Sequence, residues 1–319
     1  TAGNAYFVEQ YLKSLVDDGL LTYSLGTLRW HWNEANIRDS TQVTENVAAL
    51  LERKLKSMSN DVRSMMMVAS CLGRSFHAES LRFVFSATED WDCKDSDGTG
   101  NTGQSLVPVP SEVVVQCLER CVEEGLLDRQ NQNTSVISGN NSNETKHTTP
   151  WTHRKYQYRF AHDQVQQASY SLIPAEKRHK LQLRMGEALV EAYSLLSLSP
   201  GGIEDNADLF TTVDLLNQGL HHIPDNDFDR RANFASLNLS AGKSAMKSSA
   251  FGVAGSYFRQ GIRLLHGRHW SEELMALSLD LYCSAAEVEC CNGNFDRLEP
   301  YVKEVLRQSN VSFERKLRA

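Results

Sequence analysis

The sequence lacks the long apolar run that a membrane-spanning helix needs. No hydrophobic stretch approaches the roughly 20 consecutive residues that cross a bilayer. The first residues, Thr1-Ala2-Gly3-Asn4, also lack the basic and apolar regions of a signal peptide. They contain no initiating Met, so we expect a fragment of a longer reading frame. Together these absences favour a cytoplasmic protein that has no membrane partner.

An excess of positive charge is absent as well. The chain has 33 Lys and Arg against 40 Asp and Glu, a net charge of -7, which argues against nucleic-acid binding through bulk positive charge. The predicted helices at 77–85 and 110–125 carry one arginine each, Arg82 and Arg120, where a recognition helix needs several basic side chains. We expect no nucleic-acid partner, and a DNA-binding regulator ranks last among the possible functions.

The cysteine pattern does not indicate a disulfide framework or a zinc site. There are seven cysteines at irregular spacing, and an odd number without secretory features favours a reduced, intracellular chain. Cys117 and Cys121 lie one helical turn apart, and Cys290 and Cys291 follow Cys283 by two turns. None of these spacings supplies the four convergent ligands of a zinc site. We interpret these residues as buried thiols and predict no metal site.

Two short motifs invite a chemical interpretation that their context does not support. Residues 242–244 read Gly-Lys-Ser, but Leu237 stands where a P-loop needs its first glycine and the surrounding pattern is helical. Lys243 is therefore predicted to be a solvated helix residue. Residues 95–98 resemble a calcium loop, yet Cys93 occupies the first ligand position. We predict no catalytic, cofactor-binding or metal-binding residue in this chain.

The most informative window runs from Tyr158 to Pro174. Its residues 156–160 alternate aromatic and polar side chains, as a half-buried strand does. Asp163 is predicted to be the N-cap of a helix whose apolar face comprises Val165, Ala168 and Leu172, and Pro174 prevents its continuation. His162 is predicted to make a contact at a domain junction. The candidate interaction motif consists of His162, Asp163, Gln166, Gln167 and Tyr170.

The remaining pattern predicts three successive segments in a mainly α-helical chain. Residues 1–35 form a helix that ends at Gly19 and then a small aromatic hairpin. Residues 36–175 form a winged-helix-like domain with small β wings, interrupted by disordered polar insertions at 92–107 and 130–149. Its sequence Glu-Glu-Gly-Leu-Leu at 123–127 echoes Asp-Asp-Gly-Leu-Leu at 17–21, so a helix leading into a wing is predicted twice.

Residues 176–319 are predicted to form a tetratricopeptide-like (TPR-like) array of helices. Leu239, Gly242 and Ala245, followed by Ala254, Phe258 and Gly261, fit the spacing of a tetratricopeptide helix pair. The spacing returns at Ala286, Gly293 and Phe295, with Leu298, Val302 and Val305. Small residues allow the paired helices to approach closely, while the aromatic residue is expected to fill the space toward the next pair.

These segments resemble a known arrangement. The chain resembles the region that follows the AAA/STAND ATPase domain of large sensor kinases. The segments that carry the resemblance are Gly3–Leu21, Phe160–Pro174 and the repeat at 239–265. These kinases combine serine/threonine kinase, ATPase, GAF and histidine kinase domains. The opening Gly-Asn-Ala-Tyr-Phe-Val resembles the Gly-Asn-Pro-Phe-Phe-Val at the end of the family's ATPase lid, with Ala5 in place of a proline that lies near the adenine.

The resemblance implies that residues 1–35 are the end of an ATPase lid and that ATP and Mg bind in an upstream domain of the parent protein. The partners it implies are the ATPase core and kinase domains of the same polypeptide, and a protein or peptide on the helical repeats. The implied function is a non-catalytic scaffold that couples nucleotide state to kinase output. The alternative is a stand-alone TPR-like adaptor that binds a peptide without any ATPase.

Overall fold

The computed structural model describes residues 5–41, 47–88, 109–130, 156–196, 206–310 and 313–316. The described chain is mainly helical and contains two small antiparallel sheets, as the sequence predicts. It divides into two compact units, residues 1–178 and 179–319. The predicted insertion at 92–107, residues 131–149 of the second insertion and the calcium-like residues 95–98 lie outside the described residues. No described helix combines the length and apolarity that crossing a membrane requires.

The first unit combines helices with both sheets. Its helices are α1 (Ala5–Asp17), α2 (Glu34–Thr41), α3 (Val47–Ser57), α4 (Asn60–Leu72), α5 (Ala78–Thr88), α6 (Ser111–Glu123) and α7 (Asp163–Ser171). Its strands are β1 (Leu21–Ser24), β2 (Arg29–Trp32), β3 (Ser75–His77), β4 (Leu127–Gln130) and β5 (Gln157–Phe160).

The second unit consists of helices in its described part. The helix α8 (Ala175–Leu196) begins in the first unit and continues into the second. It is followed by α9 (Asn206–Gln218), a 3-10 turn (Leu220–His222), α10 (Phe228–Lys247), α11 (Phe251–Leu264), α12 (Met275–Cys291), α13 (Phe295–Arg307) and α14 (Phe313–Lys316).

The three-stranded sheet of the first unit is built around β5. This strand pairs antiparallel with β4, where Leu127 faces Phe160, and on its other side with β3, where Ser75 faces Arg159. The predicted return strand at Tyr156–Phe160 is therefore confirmed, starting one residue later. The sequence pattern does not predict β3, and it predicts a helix from His77 where the helix begins at Ala78. Three residues are too few to show the alternation by which a strand is recognised.

Two helices of the first unit end in the same hydrogen-bonded turn. After α1, the Gly19 amide donates to the Val16 carbonyl and the Leu20 amide donates to the Leu15 carbonyl. After α6, Gly125 and Leu126 repeat both hydrogen bonds. Gly19 has φ +68° and Gly125 has φ +70°, a conformation that costs a residue with a Cβ atom but not glycine. The predicted echo between 17–21 and 123–127 is thus a repeated Schellman turn that leads into a strand.

Close helix packing in the second unit depends on glycine. A Cβ atom at Gly242 of α10 would overlap the ring of Phe258 on α11, which is fully buried. The predicted role of small residues in this helix pair is confirmed. The prediction for Phe295 is wrong, because its side chain is 67% exposed and fills no interior space among the described residues. Phe295 is the first residue of α13, so it lies at the helix end and not along its packed face.

The described cysteines range from buried to exposed, and Cys71 and Cys117 are partly buried. Cys121 and Cys283 are buried, but Cys290 and Cys291 are exposed, so the prediction of buried thiols is wrong for this last pair. They lie at the C-terminal end of α12, where the helix leaves the core. Burial raises the pKa of the Cys71 thiol to about 12 and that of the Cys121 thiol to about 12.

Replacement of Gly242 by Ala is expected to destabilise the protein. Helix propensity alone would favour Ala by about 1 kcal/mol, but overlap with three atoms of the buried Phe258 ring should cost about 2–3 kcal/mol and outweigh it. The matched control is Gly252→Ala in α11, where a new Cβ atom meets no atom within 4 Å. Urea unfolding of both variants measures the two effects. A Gly242→Ala protein as stable as the parent would contradict the packing described here.

Cysteine labelling at pH 8 is expected to separate the two groups. A thiol with a pKa of about 12 is ionised to roughly one part in ten thousand at that pH, and only the thiolate reacts. Cys290 and Cys291 should react with iodoacetamide at least about tenfold faster than Cys71 and Cys121. Mass spectrometry of the native protein gives the rates, and labelling in urea serves as the control. Equal native rates would show that Cys71 and Cys121 are accessible.

Candidate functional site

The N-terminal end of α7 is capped by His162. Its backbone is extended, and its Nδ1 atom accepts a hydrogen bond from the Gln164 amide at 3.1 Å. The prediction that Asp163 is the N-cap is therefore wrong, since Asp163 is the first residue of the helix. Its exposed carboxylate instead pairs with Arg74 at 3.4 Å. Because Nδ1 accepts a hydrogen bond, the neutral imidazole in this arrangement carries its proton on Nε2.

The imidazole of His162 packs against two aromatic side chains of α1. The rings of His162 and Tyr6 are stacked with centroids 5.5 Å apart, and the ring of Phe7 meets the imidazole edge-on at 4.7 Å. Phe7 is buried. We call Tyr6, Phe7 and His162 the aromatic junction. It connects α1 to the N-terminal end of α7 within the first unit, and a position of His162 at a junction between two domains stays a prediction.

The phenol of Tyr6 links this junction to the end of α6. Its hydroxyl donates a hydrogen bond to the Gly125 carbonyl at 3.1 Å. Burial raises the pKa of the Tyr6 phenol, and the nearby carboxylates of Asp128 and Glu9 raise it further. The hydroxyl therefore stays protonated and remains a donor throughout the physiological pH range.

A lysine joins three helices beside the junction. Lys54 of α3 donates to the side-chain oxygen of Gln10 on α1 at 3.2 Å and to the Glu124 carbonyl at 2.9 Å. It also pairs with the Glu124 carboxylate at 3.0 Å. A cation at the C-terminal end of α6 is favoured by the partial negative charge of the helix dipole. Lys54 thus fixes α1 at the same helix end that Tyr6 contacts.

The other residues of the predicted motif lie along α7 and serve different roles. The side-chain amide of Gln166 donates to the Ser70 carbonyl at 3.0 Å and ties α7 to α4. The Arg178 guanidinium lies over the ring of Tyr170 at 4.9 Å. Gln167 is exposed. The structure therefore places His162, Gln166 and Tyr170 in separate structural contacts, and it does not bring the five residues together in one pocket.

The aromatic junction is suited to holding helices together. His162 uses one ring nitrogen in the cap, and its ring faces contact aromatic carbon atoms. A general base would need a free ring nitrogen within hydrogen-bond reach of a reacting group. What the arrangement can do is hold α1 at a defined angle to the sheet and to α7. No local sequence pattern indicates the contact between Tyr6 and His162, which lie 156 positions apart.

Lys243 and two histidines make structural contacts or lie in turns of the second unit. Lys243 lies in α10, and its ammonium group pairs with Asp280 of α12 at 2.8 Å, so it is more than a solvated helix residue. The ring nitrogen Nε2 of His269 lies 2.8 Å from the Ile262 carbonyl. His266 is exposed. Both histidines lie just after α11, which ends at Leu264.

The chain is similar in sequence to a protein named for a role in signalling. It is 25% identical to "Hybrid signal transduction histidine kinase G" of Dictyostelium discoideum over an alignment of 326 residues. The alignment covers 97% of this chain but 9% of that relative, so the chain spans a small part of the relative's length. No protein-family model matches the chain. No solved structure matches it either.

Replacement of His162 by Ala is expected to destabilise the first unit by about 2 kcal/mol. The substitution removes the cap of α7, worth about 1 kcal/mol, and the aromatic contacts, worth a similar amount. His162→Asn keeps a capping oxygen and should lose about half as much. The control is His31→Ala on the exposed hairpin, expected to change stability by less than about 0.5 kcal/mol. Urea unfolding measures all three, and equal losses for His162→Ala and His31→Ala would contradict the junction's role.

Proposed function

We propose that this chain is a non-catalytic regulatory segment of a larger signalling kinase. In this proposal it couples the nucleotide state of an upstream STAND-type ATPase core to partner binding and kinase output. The similarity to a hybrid signal transduction histidine kinase supports the signalling role. ATP and Mg would bind in the upstream core, and the chain's own residues would transmit the change.

The observation that carries this proposal is an exposed apolar face at the start of the chain. We call it the α1–hairpin face, and its exposed side chains are Val8, Leu12, Val16, Tyr23, Leu25, Leu28, Trp30 and Trp32. An apolar stripe at four-residue spacing on a helix normally packs against another surface. Exposed apolar groups on this scale mark a protein interaction site.

The position of this face favours the preceding part of a longer polypeptide as its partner. A domain joined to the N-terminal end of α1 is tethered close to the face, so its effective concentration there is high. Little intrinsic affinity is then needed, which suits a contact that must open and close. In this proposal the predicted lid end at residues 1–35 docks on the ATPase core through Leu12 and its neighbours.

Through the aromatic junction, a movement of the docked helix α1 would be transmitted to the rest of the first unit. A shift of α1 would move Tyr6 and Phe7 against His162, which caps α7. After α7 the chain passes through Pro174 directly into α8, which continues into the second unit. The motif residues His162, Asp163, Gln166, Gln167 and Tyr170 therefore lie on the proposed coupling element. The winged-helix identity of residues 36–175 is part of the same proposal.

The second unit is proposed to bind a protein or peptide partner on TPR-like helices. Its core is built from packed helices, with Phe258, Leu281 and Val288 fully buried. This self-contained core also supports the second candidate function, a stand-alone TPR-like adaptor. The two candidates differ in one respect, because the adaptor needs no partner for the α1–hairpin face. Peptide binding by this chain without any effect of an upstream domain would favour the adaptor.

Side-chain footprinting of the α1–hairpin face tests the coupling proposal. A carbene probe should label Val8, Leu12 and Val16 strongly in the chain alone. In the longer polypeptide labelling should fall severalfold, because the face is then buried, and it should change between ATP and ADP. Leu12→Glu should restore labelling of Val8 and Val16, since burial of an unpaired carboxylate is costly.

The control for this substitution is Val113→Glu on α6. Leu12 is 46% exposed and Val113 is 45% exposed in the chain alone, so the two substitutions have similar direct effects. Val113→Glu should leave the footprint of the longer polypeptide unchanged. Labelling of Val8, Leu12 and Val16 that is the same with and without the upstream domain would overturn the proposal. Micromolar ATP binding by the chain alone would contradict its non-catalytic role.

A further inference from the structure

The second unit contains a cleft that none of the roles described above uses. It has a volume of about 710 Å³, within the range of about 300–1,000 Å³ typical of small-molecule sites. It lies where the C-terminal end of α9, the 3-10 turn and the first turns of α10 meet the C-terminal end of α11. Its lining is apolar at Leu220, Ile223 and Leu264.

The polar part of the lining holds more cationic than anionic side chains. It includes the guanidinium groups of Arg231 and Arg263, the imidazoles of His221 and His266, and the single carboxylate of Asp225. The protein has a net charge of -7, so the excess of cationic side chains in this cleft is opposite in sign to the overall charge. Such a local excess of cations attracts anions.

Arg231 is held in place at the edge of the cleft. Its Nε atom donates to the Leu264 carbonyl at 3.0 Å, and its Nη1 atom donates to Asp225 at 2.8 Å. The Arg231 side chain is largely buried, but that of Asp225 is fully exposed. An ion pair with a fully exposed carboxylate contributes little, so an anion entering the cleft can take the place of Asp225.

Arg263 offers a second guanidinium without a competing anion. Its Nη1 atom donates to the side-chain oxygen of Gln260 at 3.4 Å. Within the described ranges no carboxylate pairs with it. A guanidinium group can bind phosphate with two parallel hydrogen bonds. Arg231 and Arg263 together therefore supply the donors of an anion site.

A second imidazole and a lysine lie beside the cleft. The ring of His222 lies next to the ring of His221, with centroids 4.2 Å apart. Burial lowers the pKa of His222, and its neighbours His221, His179 and Lys180 lower it further. The ammonium group of Lys180 adds a positive charge on this side of the cleft.

We infer that this cleft binds a small molecule carrying a phosphate group on an apolar body. Arg231 and Arg263 hold the phosphate, and the apolar body lies on Leu220, Ile223 and Leu264. The inference goes beyond the coupling function and does not depend on it, because the residues that form the cleft all lie in the second unit. Binding of the ligand would affect the second unit independently of the α1–hairpin face.

Calorimetric titration of the full chain tests this inference with three probes. These are phenyl phosphate, inorganic phosphate and sodium chloride at matched ionic strength. Phenyl phosphate should bind about tenfold more tightly than inorganic phosphate, because burial of the phenyl ring adds apolar contact. Sodium chloride should give no saturable heat. Absence of saturable phenyl phosphate binding would overturn the inference, and equal affinity for both phosphates would overturn the apolar part of it.

Two substitutions with opposite expected effects identify the site. Arg263→Gln should weaken phenyl phosphate binding at least about tenfold, since it removes a charged hydrogen-bond donor. Asp225→Asn should strengthen binding severalfold, because it frees Arg231 from its competing carboxylate. Both residues are exposed, so neither change should impair folding, and circular dichroism checks this.

The matched control is Arg297→Gln, which removes an exposed arginine of α13 outside the cleft. It should leave the affinity unchanged. An equal loss in Arg297→Gln and Arg263→Gln would show that general charge, and not the cleft, attracts the anion. Weaker binding in Asp225→Asn would likewise contradict the site. None of these results bears on the footprint of the α1–hairpin face, so this inference and the coupling proposal fail separately.

Discussion

Strand β5 is the element on which the first unit depends. It lies between β3 and β4, so its hydrogen bonds join two strands that are about 50 residues apart along the chain. Its side chains Tyr158 and Phe160 are fully buried. The Tyr158 hydroxyl also donates to Glu119 on α6 at 2.7 Å, which orients that helix on the sheet. Backbone pairing and core packing are therefore supplied by the same four residues.

The same strand determines where the aromatic junction forms. β5 ends at Phe160, two residues before His162 caps α7, so the position of the imidazole follows from the register of the sheet. Tyr6 approaches from the far end of the sequence and contacts both the imidazole and the Gly125 turn. The junction is a meeting point of three chain segments, each held by its own backbone hydrogen bonds. Packing holds the three segments in one arrangement. A displacement of any one segment would therefore change its contacts with the other two.

The features predictable from sequence were those with a local physical cause. The echo of residues 17–21 at 123–127 predicts where α6 ends, and aromatic alternation predicts the strand β5. Sequence preference favours Asp163 as the cap of α7, because carboxylates cap helices more often than imidazoles do, but the structure gives that role to His162. The contact with Tyr6 had no local cause, since sequence periodicity carries no information about partners 156 positions away. The cleft in the second unit could not be predicted from the sequence for the same reason, because three helix ends and a turn form it together.

The contact between Gly242 and Phe258 also has a consequence for how related sequences can vary. As long as a phenyl ring occupies position 258, position 242 is closed to every side chain, because the ring is buried and cannot move aside. The two positions can therefore change only together. A related chain that carries a larger residue at 242 should carry a smaller one at 258, and the pair should appear in an alignment as correlated substitutions.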